Sequence, residues 1–281
     1  MSLQFCFLAS GSGGNCTLVR TPAGVMLIDA GIGPRTAASR MHGTGVCPAD
    51  ISAICLTHLD RDHFSLNWVG TAIKRGVAVY VHRTRAEDLT RIAGNAAFSG
   101  LLRPFGEGAF EPLPGLACHG IDLAHDVEGS QGFVIEGFGC RAGFATDLGH
   151  VPAHLVERFE ALNLLALESN YDPEMQRTSD RPWFLKQRIM GGRGHLSNEQ
   201  AFAAVEAILD RCERRRGRLP DHIVLLHRSR QCNCPKIVRG LFEQDARIAK
   251  RLVLTEQFSR TEWLGGAARM GVGEQLLLGF G

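Results

Sequence analysis

The 281 residues are 44% hydrophobic and 21% charged, with a formal net charge of +2. This is ordinary globular usage, which excludes a disordered polyelectrolyte and leaves any case for a nucleic-acid partner to local patches of charge. One large α/β core and two smaller ones are both open at this length, and no apolar stretch approaches a membrane span.

In chain order, Leu3 to Ala9 predicts a strand and Ser10 to Gly14 a glycine-rich turn. Cys16 to Arg20 and Val25 to Asp29 then read as a hairpin around Thr21 to Gly24. The apolar residues 1–10 lack a basic leader, and the nine cysteines, an odd and scattered number, give no disulfide framework. The chain is therefore expected in the cytoplasm with reduced thiols. Pro34 to Met41 fits a short helix, Ile51 to Thr57 a buried strand, Ser65 to Arg75 a helix and Val77 to His82 another strand. From Leu113 to Thr146 strand follows strand, with Phe133 to Glu136 and Cys140 to Thr146 separated by Gly137-Phe138-Gly139. Ser197 and Gln200 form a capping box, and Phe202, Val205, Ile208 and Leu209 supply the stripe of a helix running to about Arg211. His222 to His227 is an apolar strand ending in histidine. Without a low-complexity linker or repeat, residues 1–281 are expected to form one domain.

Candidate ligands recur where strands end, the place where open α/β folds gather side chains at one edge. His58, Asp60, Asp62 and His63 follow Ile51 to Thr57, His125 follows Ile121 to Ala124, Asp147 follows Cys140 to Thr146, and His227 closes Ile223 to Leu226. A lone histidine is usually a surface or hydrogen-bonded core residue. His-x-Asp-x-Asp-His, however, packs four potential ligands into six residues, enough to wrap two metals about 3.5–4 Å apart. One or two divalent transition metals are expected. Cys232-x-Cys234 lacks a second pair at zinc-site spacing and reads as structural or incidental.

The run Thr57-His58-Leu59-Asp60-Arg61-Asp62-His63 resembles the His-x-His-x-Asp-His signature of the metallo-β-lactamase superfamily. The order of the other motifs resembles its YycJ-like branch of phosphodiesterases and nucleases. They are SGSGGN at Ser10 to Asn15, LIDAG at Leu27 to Gly31, AHD at Ala124 to Asp126 before a GFVIE strand, and TDLG at Thr146 to Gly149. LESNYD at Leu167 to Asp172, GHLSN at Gly194 to Asn198 and LLHRSRQCN at Leu225 to Asn233 complete the set, which spans essentially the whole chain. The resemblance implies a four-layer αββα sandwich. It also implies one metal on His58, Asp60 and His125, another on Asp62, His63 and His227, a bridging Asp147, and Asp29 bracing the metal loop. GHLSN is similar to the ribonuclease Z motif that sets a non-ligand histidine beside the scissile phosphate. His195 is therefore the general-acid candidate and Glu168 its hydrogen-bond partner, and Asp62 completes the catalytic set.

Asp60 stands where the family usually has a second histidine. A carboxylate there makes the site harder, favouring manganese or iron somewhat over zinc. Tyr171, where close relatives tend to have histidine, resembles ribonuclease Z. The expected reaction is hydrolysis by a metal-held hydroxide, whose water has its pKa lowered to about 7 by the metal. A basic rim of Arg177, Arg181, Lys186, Arg188, Arg193, Arg228 and Arg230 favours a phosphodiester, most readily nucleic acid. The run from Arg211 to Arg218 reads instead as solvated charge at a helix end. Two other readings stay open: a lactone or thioester hydrolase on the same metals, which needs no such rim, and a degenerate metal-binding module.

Overall fold

Period-two alternation in β1 (Gln4–Ala9) sends Phe5 and Phe7 to one face and Cys6 and Leu8 to the other, and all four are buried. Such a strand has to be covered on both sides. The computed structural model describes residues 2–265, so Met1 and residues 266–281 of the expected 1–281 domain lie outside the described residues.

Beyond β1, the first sheet takes β2 (Cys16–Thr21), β3 (Gly24–Ile28), β4 (Ile51–Cys55), β5 (Ala78–His82) and β6 (Leu102–Phe105) in chain order. The second takes β7 (Ala109–Leu113), β8 (Leu116–Leu123), β9 (Ser130–Gly137), β10 (Cys140–Ala145), β11 (Leu164–Glu168), β12 (His222–Leu226) and β13 (Leu252–Leu254), while β14 (Leu264–Gly265) returns to pair with β1. Phe5, Phe7, Met26 and Ile28 of the first sheet meet Phe133, Phe144, Ala166 and Leu226 of the second in one inter-sheet core.

The outer face of the first sheet is covered by α1 (Pro34–Met41), α2 (Trp68–Arg75), α3 (Ala86–Ala93) and α4 (Ala96–Ser99), through Met41, Trp68, Leu89 and Phe98. Beyond α5 (Ala153–Arg158), α6 (Pro173–Thr178) and α7 (Trp183–Met190) come α8 (Asn198–Arg214), α9 (Pro235–Phe242) and α10 (Ala246–Ala249). Of these, α5, α8, α9 and α10 cover the second sheet. The layers are the expected αββα. The capping box at Ser197 is present, and Ala201, Ala204, Val205, Ile208, Leu209 and Cys212 form the buried stripe of α8, which runs one turn beyond Arg211. Helices α6 and α7 join neither sheet core. They close a small cluster of Tyr171, Ile189 and Cys232.

Two boundaries fall short of the sequence expectation for a local reason. β4 ends at Cys55 because the Thr57 N–H turns to the Asp29 carboxylate instead of a neighbouring strand. α2 starts at Trp68 because residues 65–69 close tighter turns, the Trp68 and Val69 N–H groups donating three residues back to the Ser65 and Leu66 carbonyls. Among the described residues no helix is long and apolar enough to cross a membrane.

Candidate metal centre

Parallel pairing aligns the strand ends that matter. Ile28 of β3 is level with Cys55 of β4, Ala145 of β10 with Leu167 of β11, and Glu168 with Leu226 of β12. The residues just past those ends, Asp29, Thr57 to His63, Asp147 and His227, therefore converge with Glu168 on one edge, joined by His125 beyond β8. Asp29, Asp147 and His227 turn there with φ of 58°, 53° and 50°, a left-handed region that costs a non-glycine residue energy. Gly31 permits the closest crossing: a Cβ there would lie 1.7 Å from the Asp62 carbonyl oxygen, which accepts the Asn15 N–H at 2.6 Å.

The expected ligands fall into overlapping groups whose donor atoms lie within 4.8 Å of one another: His58, Asp60 and His125; Asp62, His63 and His227; and Asp147 with His58 and His63. Asp147 also groups with Glu168, His195 and His227. These are the seven residues the sequence points to, and Asp147 lies between the sets. Its Oδ2 is 2.8 Å from His63 Nε2, and its Oδ1 is 3.4 Å from His227 Nδ1.

The donor chemistry fits a divalent cation. His125 Nδ1 sits 3.0 Å from the Gly194 carbonyl oxygen, which can only accept, so this nitrogen carries the proton and Nε2 keeps its lone pair. His63 Nδ1 likewise donates to Asp29 Oδ2 at 2.7 Å, and His58 Nδ1 lies 3.0 Å from Thr57 Oγ1, whose own proton goes to Asp29. His58 Nε2 is buried with no hydrogen-bond partner, an orphan that native interiors rarely leave without an ion or water. Burial, with His63 beside it, holds His58 well below its ordinary pKa, so it is a neutral donor. Burial pulls His63 and His227 down too, but Asp147 and its neighbouring carboxylates more than reverse this, raising His63 well above its usual value and His227 to about 10. Burial would raise Asp147, yet His227 and His63 hold it well below the carboxylate range. So many buried carboxylates demand positive charge, which protons supply at His63 and His227 and which a divalent cation supplies by displacing them. Asp60 is the outlying member: its side chain is 54% exposed and its Oδ2 is 3.9 Å from His58 Nε2.

His195 belongs to neither triad but stands beside both, its ring centre 5.2 Å from those of His125 and His227. Its Nδ1 is 2.7 Å from Glu168 Oε1, and Glu168, itself fully buried, is fixed by the backbone N–H groups of Leu148 and Leu196. Burial lowers His195, but Glu168 and then Asp147 carry it above its ordinary value. His195 opens onto a cavity of about 360 Å³ that Asp60, Asp62, His125, Asp147 and His227 also line, with Ser12, Arg181, Arg188 and Gln231 at its wall.

Of the expected basic rim, Arg181 and Arg188 line this cavity. Arg228 does not: it is 7% exposed and turned to the Thr255 carbonyl and Glu256, a structural ion pair. Arg177 pairs with Glu174, and Arg188 is held in a two-pronged contact by Asp126. In the Arg211 to Arg218 run, where the sequence suggests solvated charge, Arg211 and Arg215 meet Glu160 and Arg218 meets Asp221. Asn170, whose Nδ2 is 3.0 Å from His227 Nδ1, and Thr57, which ties Asp29 to His58 and His63, gained no role from the sequence. Their positions inside LESNYD and THLDRDH were the available signal.

A family model described as the metallo-beta-lactamase superfamily matches residues 9–170. The chain is similar to the exodeoxyribonuclease YycJ of Bacillus anthracis, 27% identical over 241 residues that cover 85% of this chain and 87% of that protein. It is also similar to the exodeoxyribonuclease WalJ of Streptococcus pneumoniae serotype 2, 28% identical over 240 residues that cover 84% and 86%. Among solved structures it matches the metallo-beta-lactamase fold protein YhfI of Bacillus subtilis with a TM-score of 0.67 at 12% identity, over 93% of this chain and 99% of the other, a likeness of fold alone. With that fold, the strand-end ligand groups and the family match in agreement, the chain belongs to the metallo-β-lactamase superfamily.

Proposed function

We propose that this chain is a metal-dependent phosphodiesterase, a nuclease that hydrolyses the backbone of nucleic acid. The observation that carries the reading is His195, which opens onto the ligand-lined cavity, is held from behind by buried Glu168, and belongs to neither triad of candidate ligands. The exodeoxyribonuclease names of its relatives support it. A lactone or thioester hydrolase has no use for Arg181 at the cavity wall.

In this reading His58, Asp60 and His125 would hold one metal and Asp62, His63 and His227 the other, with Asp147 available to either. Bound divalent metal supplies a water nucleophile at neutral pH and neutralises charge developing on the phosphate. The chain's own residues do the rest. Asp29 and Gly194 fix the tautomers of His63 and His125, so that Nε2 is the free donor in each. Arg181 attracts the phosphate from the cavity wall. Glu168 holds His195 by Nδ1 and favours its protonated form, from which the Nε2 of His195 passes a proton to the leaving oxygen. Asp62 is both ligand and part of the catalytic wall.

Asp60 makes the donor set harder, so manganese or iron is favoured over zinc. The nine free cysteines support a reducing, cytoplasmic location, and the shared inter-sheet core supports one domain over the described residues 2–265. The test is elemental analysis of purified protein, followed by oligonucleotide hydrolysis with added Mn²⁺ or Zn²⁺. Activity on small acyl esters but not on phosphodiesters would refute the reading.

A further inference from the structure

Among the described residues three aromatic side chains are exposed, Trp183 by 74%, Phe184 by 70% and Phe258 by 66%. Two of the three come from a segment that lines the cavity, and Phe258 lies on a segment bonded to the residue after wall residue Ser12. Trp183 and Phe184 open α7, whose Leu185, Arg188 and Ile189 form part of the cavity wall. Phe258 follows Gln257, which accepts the Gly13 N–H at 2.7 Å beside wall residue Ser12. Arg230, between wall residues Ser229 and Gln231, lays its guanidinium 4.6 Å from the Phe258 ring centre. The packing of α7 does not explain its exposed pair, because the helix anchors through Ile189 against Tyr171 and Cys232.

Two cations beside these rings bond no carboxylate among the described residues. Arg181 bonds only neutral acceptors, Gln176, Ser229 and Gln231, and Lys186 gives its ammonium to the Arg177 carbonyl. Neither cation has a carboxylate partner among the described residues, in contrast to Arg188. Exposed rings interleaved with uncompensated cations suit unpaired bases on a phosphate backbone, since every base has a π-face to stack and every linkage a charge to answer.

We propose that Trp183, Phe184 and the Arg230–Phe258 pair form a stacking surface that grips unpaired nucleobases flanking the phosphodiester in the cavity, so that the substrate is a single strand or a frayed terminus. This rests on the nuclease reading. The test compares a ten-residue thymidylate strand with an abasic strand of equal length, two probes with the same phosphates, on metal-loaded protein. The wild type should favour the base-bearing strand by about tenfold or more, mainly through KM. Trp183→Ala combined with Phe258→Ala should erase that preference, and Trp183→Phe, which keeps a ring, should retain most of it. The thymidylate strand should also quench tryptophan emission in the wild type but not in Trp183→Phe. Equal handling of the two strands by the wild type, or a preference that survives the double substitution, overturns the proposal. So does sedimentation showing a dimer that Trp183→Ala dissociates, which would give the surface to a second copy. If bis(p-nitrophenyl) phosphate is hydrolysed but neither strand is, the nuclease reading itself fails and the stacking surface falls with it.

Discussion

Asp29→Asn separates the tautomer of His63 from the packing around it. Asp29 is 1% exposed, and its Oδ1 accepts from the Thr57 N–H at 2.8 Å while Oδ2 accepts from His63 Nδ1 at 2.7 Å. An asparagine fits the same volume and tolerates the φ of 58°, but it must point its NH₂ at one of these donors. The Thr57 backbone cannot reverse its role, whereas an imidazole can. The proton of His63 then moves to Nε2, the nitrogen 2.8 Å from Asp147, and the lone pair needed for ligation is lost. Losses of a supporting carboxylate run to 10–100-fold in metal affinity, about 1.4–2.8 kcal/mol. Asp29→Ala should instead destabilise the fold, because it orphans the Thr57 N–H and His63 Nδ1–H at about 1–3 kcal/mol each. Competition with a chromophoric chelator reads the first effect and thermal unfolding the second. Wild-type metal affinity in Asp29→Asn would refute the tautomer argument, and a loss far beyond a hundredfold would make Asp29 a ligand.

Asp147→Ala should lose metal more severely than any other single substitution in the site, since Asp147 groups with ligands of both triads; retained metal content by elemental analysis would remove it from the centre. Asp60→His should raise zinc affinity relative to manganese by restoring a softer donor, and an unchanged preference in competition titrations would show that Asp60 does not ligate. His195→Ala should keep its metal but lose about 10²–10⁴ in kcat on phosphodiesters with poor leaving groups, with a smaller loss on p-nitrophenyl esters. Equal losses on both would exclude a proton transfer, and loss of metal would make His195 a ligand.

The convergence of the candidate ligands was legible because each member follows an apolar run, and such a run in an α/β chain is a buried strand whose end is a defined place. Parallel neighbours with level registers then bring separate runs to one edge, as Glu168 opposite Leu226 illustrates. The capping box at Ser197 was equally readable, being a contact between residues three apart. Residues 83–112 yielded nothing in the sequence, and the reason is physical. Helix α4 is a single turn, and β7 carries Pro112 and a register shift, so neither is long enough to show a period. Helix α7 is illegible for a different cause: it exposes Trp183 and Phe184 and buries Ile189, against the pattern of a core helix.

Arginine sets the limit of sequence reading most sharply. Arg181 lies between LESNYD and GHLSN and Arg228 inside LLHRSRQCN, and in the sequence both look like parts of one basic rim. The difference lies in partners remote in sequence. Glu256, 28 residues on, draws Arg228 inward and cancels its charge. Arg181 meets only Gln176, Ser229 and Gln231, whose neutral oxygens orient the guanidinium but leave its charge to the cavity. A carboxylate partner converts an arginine into structure, and an amide partner leaves it able to bind an anion. An acidic residue introduced at Gln231 should therefore weaken phosphodiester binding without touching a candidate ligand. Gln231→Glu with KM unchanged on oligonucleotides would show that Arg181 does not meet the substrate.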